Sequence, residues 1–519
     1  VREIVLEGSA VYSHDDAVRI VRQREGQPLR ATPEVLAGRL EARYHVDGYL
    51  AASVSGRLED DRLVLTADEG HVASVTVEGV TGASERRAIK AANLEIGQPL
   101  QQVQIWDALA RIQNESNGAL KPEGEPPYTV ERGPDGARVV LRVRRSAVGT
   151  RFGPAGPRAA GRFNRVDGLS LGVIGELYLR DTASYNDTRF YGMGTYGFSS
   201  KESRFAFGTA RAMGPERAKV RLGYEYYDLT DTDDTWHKMG LEEGTGASIN
   251  SQTTSDFYRR IGHQVYTVLD LGRPVQIGAS FRFDHYTSLP VVTDDRLIGY
   301  KAPPPNPAIE EGRMRSLILT AAWVSKGALF PTKASRRQSY LERNLYLRAV
   351  TKPEAVRLEA TLEVARPGWG SDYDFTRFIG NVRTHHELGP HLVLDSRLVG
   401  GTTSDDVPIF KKFFLGGQGT LRGYEGKQFD GRDMAILSVE TSLVPGHNLP
   451  SFIPFYDGGR TWGLGTKPAG RWRNDVGAGL RWPARSTSFF LRVDAAYPID
   501  RDPGQESKLH FEYYVRIPF

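Results

Sequence analysis

Three clusters in this 519-residue sequence hold residue types that do chemistry elsewhere. Gly168-Leu169-Ser170-Leu171-Gly172 has the Gly-x-Ser-x-Gly spacing that presents a nucleophilic serine on a strand-to-helix elbow. Ser170, however, falls inside an alternating run with no helix pattern behind it, which makes it a strand residue. Asp228, Asp231, Asp233 and Asp234 crowd enough carboxylate for a calcium ion. They lack the spaced ligands and glycine of a calcium loop, so a solvated loop is expected. His385-His386-Glu387 has no H-E-x-x-H spacing, and adjacent residues on a strand point to opposite faces, so a strand end or turn is expected there rather than a metal site. Cysteine is absent, which excludes disulfides, thiolate metal sites and cysteine nucleophiles. No nucleophile with a base emerges, and the chain is expected to be no enzyme and to need no cofactor or metal.

These residues must sit on some framework, and composition narrows it. Lys plus Arg is 67 and Asp plus Glu 63, a formal net charge of +4, which argues against a nucleic-acid partner. Mean hydropathy is −0.41. No stretch approaches the roughly 18 uncharged apolar residues of a membrane-spanning helix. The 56 Gly, 23 Tyr, 22 Phe and 7 Trp are unusual for a helical soluble enzyme. A membrane β-barrel gives no hydropathy peak, because its outward and inward residues alternate.

The first 145 residues contain a repeat. Ile4-Val5-Leu6-Glu7-Gly8 returns as Val75-Thr76-Val77-Glu78-Gly79, and Gly26-Gln27-Pro28-Leu29 returns as Gly97-Gln98-Pro99-Leu100, both 71 positions on (75 − 4 and 97 − 26). Two matches at one spacing indicate a tandem duplication. Each unit reads strand, helix, helix, strand, strand. In the first, Arg2 to Leu6 alternates, Ser13 caps a helix bearing Ala17, Val18 and Val21, and Thr32-Pro33 opens a second helix with Leu36 and Leu40. Strands follow around 54–58 and 63–66. In the second unit helices are expected over 83–92 and 103–112, and strands at 128–130 and 138–143. The modules span 1–70 and 71–146, and Gly- and Pro-rich residues 147–160 read as a linker.

From 161 to 519 the periodicity is two. Leu169, Leu171, Val173, Leu177 and Leu179 share one face, and Val220, Leu222, Tyr224 and Tyr226 another, against Arg221, Gly223, Glu225 and Tyr227. In the last segments Leu491, Val493, Ala495 and Tyr497 oppose Arg492 and Asp494, and Leu509, Phe511, Tyr513, Val515, Ile517 and Phe519 oppose His510, Glu512, Tyr514 and Arg516. A soluble sandwich also alternates. Three features favour an all-β transmembrane antiparallel barrel: aromatics toward the ends of the apolar faces, both signs of charge beside glycine on the polar faces, and short turns contrasting with long polar loops such as 228–257 and 290–313. At about 22 residues per strand and connection, this span holds about 16 strands.

Near the carboxyl end, Gly416-Gly417-Gln418-Gly419-Thr420-Leu421-Arg422-Gly423-Tyr424 resembles the Gly-Gly…(Val/Leu)-Arg-Gly-(Tyr/Phe) loop of the superfamily of BamA, TamA and two-partner-secretion transporters. Leu437-Ser438-Val439-Glu440, Phe455-Tyr456-Asp457-Gly458-Gly459-Arg460-Thr461-Trp462 and Val476-Gly477-Ala478-Gly479-Leu480-Arg481 resemble its following strands in order. Tyr513, Val515, Ile517 and the terminal Phe519 match its carboxyl-terminal assembly signal. The duplicated units resemble its POTRA domains, giving α+β periplasmic modules before the barrel. Residues 180 to 390 share only general barrel character.

The resemblance supplies Asp457 and Glu440 as partners for Arg422. A guanidinium carried into the lumen needs carboxylates, because an isolated buried charge is costly. Glu440 alternates with outward Leu437, Val439, Thr441 and Leu443 and is expected to point inward. Gly416, Gly417 and Gly423 allow a tight backbone there. The resemblance further implies an outer-membrane protein with residues 1–146 in the periplasm. Its partners would be unfolded or extended periplasmic polypeptide clients, outer-membrane lipids, and a secreted partner protein or periplasmic accessory. Two such modules fit a two-partner transporter, although the plug helix that would precede the first module is not identified in this sequence. Val1 already falls in the first strand, so a signal peptide, with any further segment, is expected to precede this start. Insertion and secretion of clients remain alternatives, and a passive channel or structural barrel is the competing class.

Overall fold

The computed structural model describes residues 1–116, 118–154, 161–181, 186–214, 218–237, 255–271, 275–291, 305–325, 354–389, 391–444, 449–463, 465, 470–482, 490–500 and 508–516. They form two compact units, one over Val1–Gly149 with Leu179–Asp187 and one over the remainder.

In the first unit the 71-residue repeat is two similar modules. Strand Glu3–Glu7 runs parallel to Arg62–Asp68, which pairs antiparallel with Ser53–Glu59. Helices His14–Val21 and Pro33–Val46 pack on this sheet, burying Ala17, Val21, Leu36, Leu40 and Tyr44 against Ile4, Leu63 and Leu65. Ser13 closes a reciprocal cap, its hydroxyl donating to the Asp16 carboxylate at 2.6 Å while accepting the Asp16 N–H at 3.2 Å. The bond from the hydroxyl first, and then one from the Ser13 backbone N–H to the same carboxylate at 3.2 Å, hold the exposed Asp16 carboxyl below its usual range. Thr32 stands at the second N-cap without a side-chain bond, and Pro33 supplies the first turn. The second module repeats the order with Val72–Glu78, Ala83–Ala92, Gln102–Glu115, Tyr128–Gly133 and Gly136–Arg145, and adds the short strand Leu120–Pro122.

The duplicated glycines have duplicated jobs. The Gly26 N–H donates to the Val1 carbonyl and the Gly97 N–H to the Val72 carbonyl, both at 2.8 Å, with φ of +74° and +86°. Gly8 and Gly79 also have positive φ, but they are pressed against a neighbouring strand. A Cβ there would stand 2.3 Å from the Ala67 oxygen or 1.6 Å from the Val143 oxygen. The Glu69 carboxylate is buried, accepting the N–H groups of Ala10 and Val11 at 2.8 Å and the Tyr44 hydroxyl at 2.9 Å. The modules share a seam in which Ala51 of the first enters the core of the second and the Gln102 N–H donates to the Gly48 carbonyl at 2.8 Å.

The second unit is the barrel sheet. Fifteen antiparallel strands, from Gly168–Arg180 to His510–Arg516, follow one another, and Val148–Pro154 with Gly161–Asn164 both pair with Gly168–Arg180 as one interrupted strand. Among the described residues that makes sixteen, and Val148–Pro154 also neighbours His510–Arg516, so the strand order returns on itself. Val148–Pro154 corrects the expected linker: its alternation is too short to register in sequence, and pairing with Gly168–Arg180 makes it strand. No described helix is long and apolar enough to cross a membrane, and the crossing falls to strands.

The faces are those of a barrel in lipid. Leu222, Tyr224, Val265, Ile277, Leu319, Trp323, Leu358, Phe378 and Leu491 are exposed, whereas Glu225, Gln264, Arg282, Asp284 and Glu363 are buried on the inner face. Interior polar groups satisfy one another: Gln264 donates to Glu225 at 2.6 Å, Arg282 donates to Gln264 at 3.2 Å, and Arg189 pairs with Glu176. Because strands alternate in direction, the connections 231–258, 288–312 and 403–433 share one end. The connection from Val324 to Glu354 leaves from the opposite, otherwise short-turn end, and the contrast in loop length is less regular than expected.

The two glycine pairs make separable predictions. Gly97→Ala costs about 1 kcal/mol, the strain of left-handed backbone alone. Gly79→Ala costs at least about 3 kcal/mol, because backbone must also move. Urea unfolding of residues 1–149 by circular dichroism measures both, and equal losses would contradict the distinction.

Candidate functional site

Strands Phe413–Leu415 and Phe429–Gly431 pair antiparallel and carry residues 416–428 between them. The loop is tied by its own backbone. The Gly417 N–H lies within bonding distance of the Leu421 and Tyr424 carbonyls, at 2.9 and 3.1 Å, and the Gly416 N–H donates to the Thr420 hydroxyl at 2.9 Å. Gly416, Gly417 and Gly419 have φ of +114°, +78° and +79°, a sequence of conformations that side-chain-bearing residues resist. Leu421 is fully buried among Val399, Phe413, Leu415, Met434 and Ile436, which seats the loop so that Arg422 projects the other way.

Arg422 is fully buried on the inner face. Its Nε and Nη2 donate to the two oxygens of Asp457 at 2.6 and 3.0 Å, a bidentate pair. Its Nη1 donates to Glu440 at 2.6 Å and to Asp494 at 2.9 Å, and the guanidinium lies 3.4 Å from the Phe455 ring centroid. Arg492 closes the network, donating to Glu440 at 2.8 and 3.0 Å and to Asp494 at 2.6 and 2.8 Å. Two cations and three carboxylates thus share one dry cluster, where breaking a pair is far costlier than the pair's net worth. Gly423 has no room for a side chain. A Cβ would stand 2.6 Å from the Asp475 Cβ and 2.9 Å from the Pro498 nitrogen. Tyr424 anchors the exit, its hydroxyl within donating distance of the Asn474 and Asp500 carbonyls at 3.0 and 2.8 Å.

The structure brings Arg422, Asp457 and Glu440 together, the partners the resemblance implied, and adds Asp494 and Arg492. The signal for these two was present: both alternate with outward Leu491 and Val493. Nothing in one sequence says which inward charge meets which. Ser170 is buried within its strand. His385, also mid-strand, bonds Asp395 at 2.7 Å through Nδ1. Tyr513 and Phe511 face outward; Val515 is in the last strand, and Ile517 and Phe519 lie outside the described residues.

The acidic cluster requires correction. Asp228, Asp233 and Asp234 are buried rather than solvated. Asp228 receives two bonds from Arg259 at 2.7 and 2.9 Å, Asp231 pairs with Arg260 at 2.7 Å, Asp233 with Arg377 and Lys411 at 3.0 Å, and Asp234 with Lys427 at 2.7 Å. The cations lie up to 193 residues away, which is why local reading saw only repulsion needing water. Asn306, between Pro305 and Pro307, accepts the Phe257 N–H at 2.8 Å and donates to the Phe257 and Leu289 carbonyls at 2.7 Å. Pro303 and Pro304 lie outside the described residues.

Arg422→Ala strands three carboxylates and is expected to cost about 3–5 kcal/mol. Gly423→Ala keeps every charge yet is expected to displace Arg422 and lose a comparable amount. Both are read from the heat required to shift the folded barrel's electrophoretic band; a wild-type transition in Gly423→Ala would refute the packing argument.

The Omp85 superfamily domain matches residues 163–515. The outer membrane protein assembly factor BamA of Nitratidesulfovibrio vulgaris is 30% identical over 166 residues, 28% of this chain and 20% of that protein, so the chain spans about a fifth of that curated relative. The solved structure of BamA from Haemophilus ducreyi lacking POTRA domains 1–3 aligns over 98% of both chains at 13% identity with a TM-score of 0.46. CdiB from Acinetobacter baumannii aligns over 99% of this chain and 89% of its own at 10% identity with a TM-score of 0.42. With more than half its length, residues 163–515, matched by that domain, the chain belongs to the Omp85 superfamily and is a protein of the outer membrane.

Proposed function

We propose that this protein handles polypeptide clients at the outer membrane, in assembly or secretion, without covalent chemistry. The observation that carries the reading is the Arg422 cluster. A passive pore has no need to bury a loop guanidinium among Asp457, Glu440 and Asp494. A barrel that must hold one conformation and give it up to a client does. The charges specify a unique loop position and, once separated, have strong reason to return to it.

In this reading the POTRA-type sheets receive extended clients. Glu3–Glu7 and Ser53–Glu59 are the outer strands of the first sheet, and Val72–Glu78 lies at an edge of the second. An edge offers unpaired N–H and C=O groups to which an extended chain adds as a strand, with affinity from the main chain and little demand on client sequence. The barrel then inserts the client into the membrane or passes it outward, and the Arg422 loop acts as its latch. A cycle of this kind uses only binding energy and the alternative positions of the loop.

The test has two arms. Arg422→Glu is expected to abolish client delivery, and Asp457→Arg in the same chain to restore part of it, because the bidentate pair is rebuilt with reversed sense while Glu440 and Asp494 gain a new cation. Full delivery by Arg422→Glu alone would remove the latch. Deleting residues 1–145 while retaining the barrel is expected to stop surface appearance of a partner; unchanged function would favour a passive channel.

A further inference from the structure

A second ionic network lies beside the first and shares no residue with it. Segment 232–237, which follows strand Lys219–Asp231, touches the Arg422 loop at its entry, its crown and its exit. At the entry, Lys411 is fully buried, and its ammonium is 3.0 Å from Asp233 and 2.9 Å from Glu363. Trp236 packs edge-on against Phe413, with centroids 5.8 Å apart. At the crown, Arg397 donates to the Gly419 carbonyl at 2.9 Å and, through its other terminal nitrogen, to the Trp236 carbonyl. At the exit, Lys427 donates to Asp234 at 2.7 Å and also to Asp256.

Asp256 extends the contact to further segments of the same unit. Its N–H donates to Asp234 at 2.8 Å, and its carboxylate accepts from Arg165 at 2.6 Å. Arg165 in turn reaches Asn306 at 3.2 Å. Below these pairs the rings of Tyr258, Tyr286 and Phe410 pack with centroids 5.1–5.2 Å apart.

Lys427 carries a further clue. Its φ is +54°, in the left-handed region that glycine occupies at little cost. A lysine persists there only if the surroundings over-determine it. Its two carboxylate partners and its ammonium 4.8 Å from the Phe414 ring centroid supply that determination. The side chain is being used at a position where the backbone alone would favour glycine.

We propose that segment 232–237 is a clasp whose Asp233 and Asp234, through Lys411 and Lys427, position the Arg422 loop, so that the loop and the segments bound to Asp256 move as one element. The inference rests on the latch reading. It goes further by making loop release conditional on a set of charges that never touch Arg422. If the loop left the lumen alone, Lys411 would leave Asp233 to Arg377 and take its charge from Glu363, and Lys427 would leave Asp256 to Arg165 and take its charge from Asp234. If 232–237 lifted alone, Lys411 would lose Asp233 and keep Glu363, and Lys427 would lose Asp234 and keep Asp256. Either partial movement removes one countercharge from each lysine site, which favours concerted movement.

The separation of the two networks makes the test clean. In planar bilayers, full-length Lys427→Gln and Asp234→Asn, with the Arg422 cluster intact, are expected to open about tenfold more often than the parent. The double variant is expected to exceed the larger single effect by less than about twofold, because both remove one interaction. The chain has no cysteine. Asp256→Cys with Lys427→Cys can therefore be bridged by a short bis-maleimide in a barrel already shown to be folded, which does not depend on a weakened variant inserting. Bridging is expected to suppress openings and client delivery together. Opening rates of both single variants within about twofold of the parent would overturn the clasp, as would a bridged barrel that opens as freely as the unbridged one. Openings that respond as expected in a protein whose parent delivers no client would support the clasp and reject the transport reading. Delivery by the double-cysteine protein that is the same with and without the bridge would reject the clasp and leave the transport reading standing.

Discussion

A guanidinium taken out of water must be given back its hydrogen bonds and its countercharge, and that requirement at Arg422 organises the carboxyl-terminal wall of the barrel. Three strands each contribute one acid: Glu440 from Asp433–Leu443, Asp457 from Ser451–Trp462, and Asp494 from Phe490–Pro498. Arg492 supplies the charge that keeps the three from repelling one another. The strands must hold register for these side chains to converge, since a slip of one residue would turn every one of them toward lipid. Loop position and strand register are therefore one constraint seen from two sides.

The same logic explains the glycines and the aromatics. Gly423 lets the loop backbone lie against Asp475 and Pro498, the position from which Arg422 reaches its acids. Leu421 fills an apolar seat on the opposite side, so the loop is held by packing as well as by charge. Phe455 gives the guanidinium a ring face, which suits a delocalised cation better than an ammonium. On the outside the barrel spends its apolar residues where a soluble protein would keep polar ones. The low mean hydropathy is the average of that surface with a charged interior, polar loops and the soluble modules.

Much of this was legible beforehand, for definite reasons. The duplication is visible because glycines at fixed offsets are demanded by positive φ, as at Gly26 and Gly97. Strand faces are visible because lipid and lumen impose a period of two. Leu222 and Tyr224 lie outside and Glu225 inside for that reason alone. What escaped was pairing at long range. Asp233 and Asp234 read as a solvated run because their cations, Lys411 and Lys427, are 178 and 193 residues away. Val148–Pro154 read as linker because glycine and proline mask a strand that only its neighbour Gly168–Arg180 creates.

The sequence by itself determined the architecture: two repeated α+β modules, then an alternating barrel, with Arg422 on a glycine-rich loop and acids on the inward faces of the strands after it. These follow from local backbone preference and from side-chain period, both of which act over a few residues. Tertiary structure alone decided which charge meets which. It placed Asp494 and Arg492 in the Arg422 cluster, buried the Asp228–Asp234 run, and brought Lys411 and Lys427 to it. The physical reason is that a buried ion's energy depends on atoms within a few ångströms whatever their distance along the chain, and only the closed sheet brings those atoms together.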